Sequence, residues 1–485
     1  MIWKKEDPIP TKSPAFIARL GYFQKQFAKE ADLQIYPFVV NQYHAVALSF
    51  SSLVDSQRIR DECIIPLSEL KGLPQMDKVL QIPLSVNPMR ISADNDVLLQ
   101  HLVSGYTIVL FDHQDQAIAM QISNSNSRPV QESTNEYVER GPRDSFTENW
   151  QVNLGLVRRR MKSTAFQTRQ FTIGTYTQTT CVIMYVAGIA PDDLVDDVLQ
   201  RMANIKLDAL IDSGQLEMVL EDNHYTPFEQ LKNTERPDII ATEILRGRMA
   251  ILVDGSPTAL ILPTTLLDLM SSPGEQYERS IVGIMRKGLR ISGLFVSAYA
   301  SSIYLSLVCF HPHLIPVKLV QILVYKRLQV PFPAWFEIFI MQIVIDLIFE
   351  AIMRLPQRLG QIVGVAGAIV LGQAVISVNL ISPAVIIVVA LSTVAGYGQP
   401  LISTSFSIAG LRYFNLLFAA VLGVFGVFVS LLFWMIHLVQ LNPYHTPYLK
   451  PLSPFNWKEL WNSIIHYKAP WVATRGRSKE GGQNG

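Results

Sequence analysis

Three carboxylates, Glu337, Asp346 and Glu350, lie in one apolar run, Phe332–Met353, which exceeds the roughly 20 residues a helix needs to cross hydrocarbon. Charge is expensive there, so acids at such positions face a bundle interior or water and mark the path of an ion or substrate. At about 100° per residue, Gln342, Asp346 and Glu350 share a stripe about 80° wide, whereas Glu337 projects from nearly the opposite side. Two readings stay open. Ionised carboxylates in a ring of subunits would attract cations; alternatively these groups hydrogen-bond neighbouring helices, with Glu350 at the interface beside Arg354. Other chemistry finds less support. No Gly-rich phosphate loop, GxSxG elbow or HExxH occurs, which argues against nucleotide-driven transport or hydrolysis, so the chain is read as no enzyme and no cofactor is expected. Cys63, Cys181 and Cys309 lack paired spacing and read as small buried apolar residues. His311-Pro312-His313 has no third ligand nearby and reads as an interfacial loop rather than a metal site.

The run that holds the acids is one of a series. Gly288–Phe310, Phe332–Met353, Leu359–Val378, Leu380–Gly396 and Phe414–Leu441 are each apolar enough to span. Leu380–Gly396 is short and contains Pro383, so it could re-enter with its neighbour, and the count is four or five. The third run carries Gly360, Gly364, Gly367 and Gly372, with Gly360-x-x-x-Gly364 in the small-xxx-small form that lets helices pack closely. Its other side, Ile362, Ala366, Ile369 and Gln373, could form an apolar constriction that gates by dewetting, a second location for a pore. The tail beyond residue 445 carries Trp457, Trp461, Trp471, Lys458 and Lys468, an interfacial composition.

Ahead of the first run the chain has ordinary soluble character. The formal net charge of the whole chain is +1, so no nucleic-acid partner is suggested. Met1-Ile-Trp-Lys-Lys-Glu-Asp leads into Pro, Thr and Ser rather than a signal core, and Arg279, Arg286, Lys287 and Arg290 flank the first run; both place this part in the cytoplasm. Its pattern is α/β. Leu33–Val40 and Val46–Phe50 read as strands, Ser56–Leu70 as a helix interrupted at Pro66, and Tyr106–Phe111 with Ala117–Ile122 as a hairpin. The aperiodic polar stretch Ser123–Glu136 marks a boundary. Beyond it, Asn149–Met161 reads as a helix, Arg169–Ile173 and Thr180–Tyr185 as strands, Asp192–Asn204 and Asp208–Leu220 as helices, and Arg248–Val253 with Thr258–Leu262 as a hairpin around Asp254-Gly255. The expected fold is a multi-pass α-helical membrane domain preceded by a cytoplasmic α/β region of two subdomains. The boundaries are 1–135, 136–287 with the juxtamembrane segment, 288–445, and a tail at 446–485. Arg158-Arg159-Arg160 reads as a solvated basic face. Arg140-Gly-Pro-Arg143-Asp144 reads as a fixed turn, with Asp144 or Ser145 as a helix cap and the arginines available for intersubunit ion pairs.

Arg354-Leu-Pro-Gln-Arg-Leu-Gly-Gln361, Gly367-Ala-Ile-Val-Leu-Gly-Gln-Ala374 and Ile381-Ser-Pro-Ala-Val-Ile-Ile-Val-Val-Ala-Leu391 resemble the membrane core of the GerA family, the A subunits of bacterial spore germinant receptors. Val138-Glu-Arg-Gly-Pro-Arg-Asp-Ser-Phe-Thr-Glu148, Asn153–Arg160, Asn233-Thr-Glu-Arg-Pro-Asp238, Gly247–Pro257, Val330-Pro-Phe-Pro333 and Pro447–Leu452 extend the resemblance, in order, over almost the whole chain. It implies a protein of the spore inner membrane that assembles as a homo-oligomer, a pentamer, into a nutrient-gated channel for monovalent cations. It further implies a transporter-like B subunit that binds the germinant and a lipoprotein C subunit as partners, besides membrane lipid. The chain departs from the family pattern at Gln342, where relatives carry Glu, at Ser377-Val378-Asn379, and around Leu401-Ile402-Ser403. Fewer acids would weaken cation attraction, so a diverged receptor or a SpoVAF-like paralogue stays open, and a secondary transporter with a broken helix and a non-conducting signalling scaffold stay as further alternatives.

Overall fold

The computed structural model describes residues 12–27, 30–40, 43–69, 80, 86, 88–112, 114–122, 136, 140–356, 360, 373–400, 402–457 and 460. The chain divides into two compact units. The first comprises Met1–Asp222, Leu231–Pro263 and Pro470–Gly485, and the second Asn223–Gln230 and Thr264–Ala469.

In the first unit, helix α1 (Pro14–Gln26) opens at Ser13, whose side chain accepts from the Phe16 N–H, with Pro14 at a position that needs no donor. Strands β1 (Leu33–Val40) and β2 (Tyr43–Phe50) pair antiparallel from Leu33↔Phe50 to Val40↔Tyr43. Helix α2 runs through Ser56–Ile59, a π-turn at Arg60–Ile64, and Ile65–Ser68. Pro66 sits in the first turn of its last segment, so the helix continues past the expected interruption and ends at Ser68. Strand β3 (Pro88–Ser92) and helix α3 (Asn95–Val103) follow, then the hairpin β4 (Thr107–Phe111) and β5 (Gln116–Met120). The sheet order is β1-β2-β4-β5-β3. Its buried face, with Phe16 and Phe23 of α1 and Leu98 and Leu102 of α3, forms one hydrophobic core.

The plan then repeats. Helix α4 (Trp150–Arg158) is capped by Asn149, which accepts from Gln151 and Val152, and not by Asp144 or Ser145. Strands β6 (Phe166–Ile173) and β7 (Thr179–Val186) lead to helices α5 (Asp192–Asn204) and α6 (Ser213–Leu220). Residues 208–212 stay outside α6 because Asp212 takes an extended conformation and caps it through Gly214. Strand β8 (Lys232–Thr234), helix α7 (Pro237–Leu245) and the hairpin β9 (Met249–Val253) and β10 (Ala259–Leu262) complete a second sheet of order β6-β7-β9-β10-β8.

The second unit is helical. After α8 (Leu266–Leu269) come α9 (Ser280–Cys309), α10 (Val317–Arg327), α11 (Ala334–Arg354), α12 (Pro383–Gly396), α13 (Ile402–Leu422) and α14 (Val424–Gln440). Ile281–Cys309 and Thr404–Leu422 are long and apolar enough to cross a bilayer, and α12 and α14 are shorter apolar helices. The run Phe414–Leu441, expected as one span, is two helices folded into a hairpin. Gly423 turns the chain with φ +61°, and a Cβ there would lie 2.8 Å from the Phe310 ring, so only glycine fits. Across the hairpin, Phe414 meets Phe433 at 5.1 Å between ring centroids and Trp434 donates to Asn415 at 3.1 Å. The segment after α14 therefore returns to the end where α9 begins: Leu266 N–H donates to the Tyr448 carbonyl at 3.0 Å, and Leu269, Leu438, Leu441 and Tyr448 share a core. That proximal end also holds Arg290, which binds Glu275 and the Met270 carbonyl. The distal end holds Phe310 and Gly423. The expected third run falls on residues outside the description, apart from Gly360 and residues 373–378.

Candidate functional site

Small residues let α9 and α12 approach. Gly293, Ser297 and Ser301 recur every four residues along one side of α9; Ser301 meets Ser392 at 3.2 Å, and a Cβ on Gly396 would lie 2.6 Å from the Ser297 hydroxyl. This close seam fixes α12, and α11 packs against it running in the same direction. Near their starts the Ser382 N–H donates to Glu337 Oε2 at 2.9 Å; near their ends the Phe349 and Tyr397 rings stack at 3.7 Å.

Along α11 the four polar residues acquire four environments. Glu337 is buried and caps the N-terminus of α12, where the helix dipole favours its charge. Its other oxygen, Oε1, has no partner among the described residues. Gln342 is fully buried, and neither of its amide atoms finds a partner among the described residues, a costly arrangement for a neutral amide. Asp346 is neutralised across the bundle. Arg412 of α13 donates to its Oδ1 at 2.9 Å and Tyr413 to its Oδ2 at 2.6 Å, while Arg412 also donates to Thr393 of α12 at 2.9 Å. The Arg412 side chain is 3% exposed and that of Asp346 25%. Glu350 pairs with Arg354 one turn away at 2.6 Å, and its side chain is 44% exposed. Such surface pairs contribute little. The stripe thus grades from a neutral buried amide, through a neutralised acid, to one accessible carboxylate. Glu337, expected to point away from that stripe, is buried as deeply as Gln342.

Arg412, Tyr413 and Thr393 were not singled out by sequence, although a lone arginine inside the apolar stretch of α13 is a signal of the same kind as the acids. The expected span began at Phe414, two residues too late to include it. Of the other candidates, Gln373 is exposed and Gly360 approaches the Ile352 carbonyl, 3.1 Å from where a Cβ would stand. Ile362, Gly364, Ala366, Gly367, Ile369 and Gly372 lie outside the described residues. The His311 and His313 rings stand 5.7 Å apart, and no group of three metal-ligating side chains gathers among the described residues.

In the first unit Arg140 and Arg143 are exposed, and Asp144 pairs with Arg160 at 2.6 Å. In the basic run Arg159 is exposed as expected, whereas Arg158 is not. Arg158 is 1% exposed and reaches Asp32 at 2.6 Å and Glu30 at 3.0 Å, with its guanidinium 4.0 Å from the centre of the Phe50 ring. Burial holds the Glu30 carboxyl above the usual range, against the pull of Arg158 and the Thr168 hydroxyl.

Residues 21–479 match the family described as Bacillus/Clostridium GerA spore germination protein. The chain is 35% identical over 420 residues to spore germination protein A1 of Bacillus subtilis, covering 86% of each chain. It is 29% identical over 480 residues to spore germination protein KA of the same organism, covering 98% of this chain and 88% of that one. Among solved structures, the N-terminal domain of the A subunit of the Bacillus megaterium spore germinant receptor GerK3 matches 52% of this chain and 97% of its own, at 28% identity and TM-score 0.39.

Proposed function

The chain belongs to the GerA family of spore germination proteins, and on that premise we propose that it is the A subunit of a nutrient-germinant receptor whose helical unit conducts monovalent cations. In this reading the helical unit lies in the spore inner membrane and the α/β unit in the cytoplasm. The chain assembles as a homo-oligomer, a pentamer, beside a transporter-like B subunit and a lipoprotein C subunit. No covalent step is required: germinant binding to the partner favours one of two arrangements of the helices by its differential affinity.

The observation that carries this reading is the graded stripe on α11. Glu350 supplies an accessible charge at the proximal end, and Asp346 sits one turn deeper under the control of Arg412. An ion moving past Asp346 would meet a neutral pair, so conduction by this face depends on Glu350 and on any rearrangement that separates Asp346 from Arg412. The test is nutrient-triggered potassium efflux from spores or proteoliposomes containing all three subunits. Glu350→Gln should lower efflux with protein abundance unchanged. Asp346→Asn strands a buried arginine, so it is read together with Asp346→Asn/Arg412→Gln, which restores neutrality. If the double variant keeps wild-type abundance and both it and Glu350→Gln conduct normally, the α11 pathway is wrong and the pore belongs to Ile362, Ala366, Ile369 and Gln373.

One observation favours a second reading, a non-conducting scaffold: the Asp346–Arg412–Tyr413 network joins α11 to α13 as structural ion pairs do. The scaffold predicts that no partner combination gives flux and that Arg412→Gln changes only abundance.

A further inference from the structure

Helix α10 has no buried residue. It follows α9 through Pro312–Leu314 and lies at the distal end, where Arg327 reaches back to Cys309 at 3.5 Å. Val320, Leu323 and Arg327 are half-buried, whereas Val317, Leu319, Ile322, Val324, Tyr325 and Leu328 are exposed, Leu328 to 81%. An isolated helix of 11 residues is marginal in water, and leaving six large apolar side chains in water forfeits about 25 cal/mol for each Å² that could be covered. Something covers this helix.

The charges say what. Lys318, Lys326 and Arg327 are on α10, and no Asp or Glu occurs between Glu278 and Glu337. From residue 279 to 458 the only acids are Glu337, Asp346 and Glu350, all on α11. Glu337 is buried, and the other two lie toward the proximal half. A second copy of this chain standing alongside in the same orientation therefore brings no accessible carboxylate from its helical unit to the level of α10. A layer of lipid phosphates does. We infer that α10 lies flat in the headgroup region of the distal leaflet, its apolar residues in the acyl boundary and Lys318 and Lys326 on the phosphates of anionic lipid. This rests on the reading that the helical unit crosses a membrane. Tyr325, Phe332 and Trp335, all exposed, supply the aromatic side chains typical of that depth. The consequence is mechanical: α10 joins α9 to α11, so a change in the lipid surface acts on the helix that carries the stripe.

The experiment uses the full chain with Cys309→Ser, reconstituted into vesicles of phosphatidylcholine alone or with phosphatidylglycerol, and nitroxide-labelled at Ile322→Cys. Depth is read from relaxation by oxygen against a water-soluble nickel chelate. Phe295→Cys, exposed midway along α9, reports separately whether that helix spans. With phosphatidylglycerol, the Ile322 label should read a depth at the headgroup–acyl boundary, and Lys318→Gln/Lys326→Gln should move it toward water. In phosphatidylcholine alone that substitution should move it less. Given a mid-bilayer signal at Phe295, three results overturn the inference: a fully water-exposed Ile322 label; a label inaccessible to both reagents, which means that protein covers α10; and a depth indifferent to both lipid charge and the two lysines. A Phe295 label that reads water instead overturns the membrane reading itself.

Discussion

The two halves of the first unit share one sheet plan, and they part in what their first helix does. Among the described residues each half runs helix, hairpin, helical segment, edge strand, helix, hairpin, the second half placing two helices, α5 and α6, where the first has α2, and each sheet has the same strand order. The registers coincide: Leu110 pairs with Ala117 in one sheet and Leu252 with Ala259 in the other. Gly105 and Gly247, each at φ +91°, close the helix before that hairpin. Seven residues later Asp112 and Asp254 accept the N–H of Ser13 and Trp150, at the starts of α1 and α4. Yet α1 buries only Phe16 and Phe23, while α4 buries all of Asn153–Arg158. The difference is position. Helix α4 covers its own sheet and also meets the other half, where a Cβ on Gly155 would stand 2.2 Å from the Ser52 carbonyl and Arg158 grips Glu30 and Asp32. The same element, duplicated, serves once as a surface helix and once as the seam, and the seam has acquired a glycine and a buried cation.

The largest break in this comparison is expected from Arg158→Met. It leaves Glu30 and Asp32 buried without their counter-charge, and such a loss typically destabilises by about 3–5 kcal/mol; chemical denaturation followed by tryptophan fluorescence reads it. The next effect contrasts two glycines. Gly155→Ala overlaps a backbone carbonyl and should destabilise by about 3 kcal/mol, whereas Gly21→Ala, on α1 with nothing within 4 Å of the new Cβ, should stabilise by about 0.5–1 kcal/mol. Equal responses from both would mean that the halves do not meet along α4. The smallest is a pH effect. Because Glu30 is held above its ordinary value by burial, the folded chain keeps a proton that the unfolded chain has already lost. Stability should therefore fall as pH rises from the ordinary glutamate range toward the folded value. Glu30→Gln should reduce that slope, measured by melting temperature across mildly acidic pH.

The central hairpins were legible because alternation and turn residues agree. Tyr106–Phe111 with Ala117–Ile122, and the Asp254-Gly255 hairpin, need no distant partner to be recognised. The edge strands were not: Pro88–Ser92 and Lys232–Thr234 are short, the second is wholly polar, and both exist through ladders to β5 and β10. Helix α7 escaped for the opposite reason. Eight of its nine residues are buried, so it lacks the polar face that periodicity detects. The repeat escaped because its markers, a glycine, an aspartate seven residues on and an alanine five beyond, are sparse. In the helical unit composition identified the apolar runs and the acids on one of them, but a run that folds back at a glycine reads like one that continues.

By itself the sequence determined which segments are apolar, which strands alternate, where acids interrupt hydrocarbon-like stretches and, through the spaced motifs, the family. Only the tertiary structure decided the state of those charges. Arg158 reads as surface and is buried, Asp346 reads equally as a water-facing acid or as a partner of neighbouring helices and is paired with a residue 66 positions away, and the chain after α14 returns to the proximal end. The reason is physical. Local propensity and hydropathy are properties of neighbours along the chain, whereas the free energy of a charge depends on burial and counter-charges that folding brings from elsewhere.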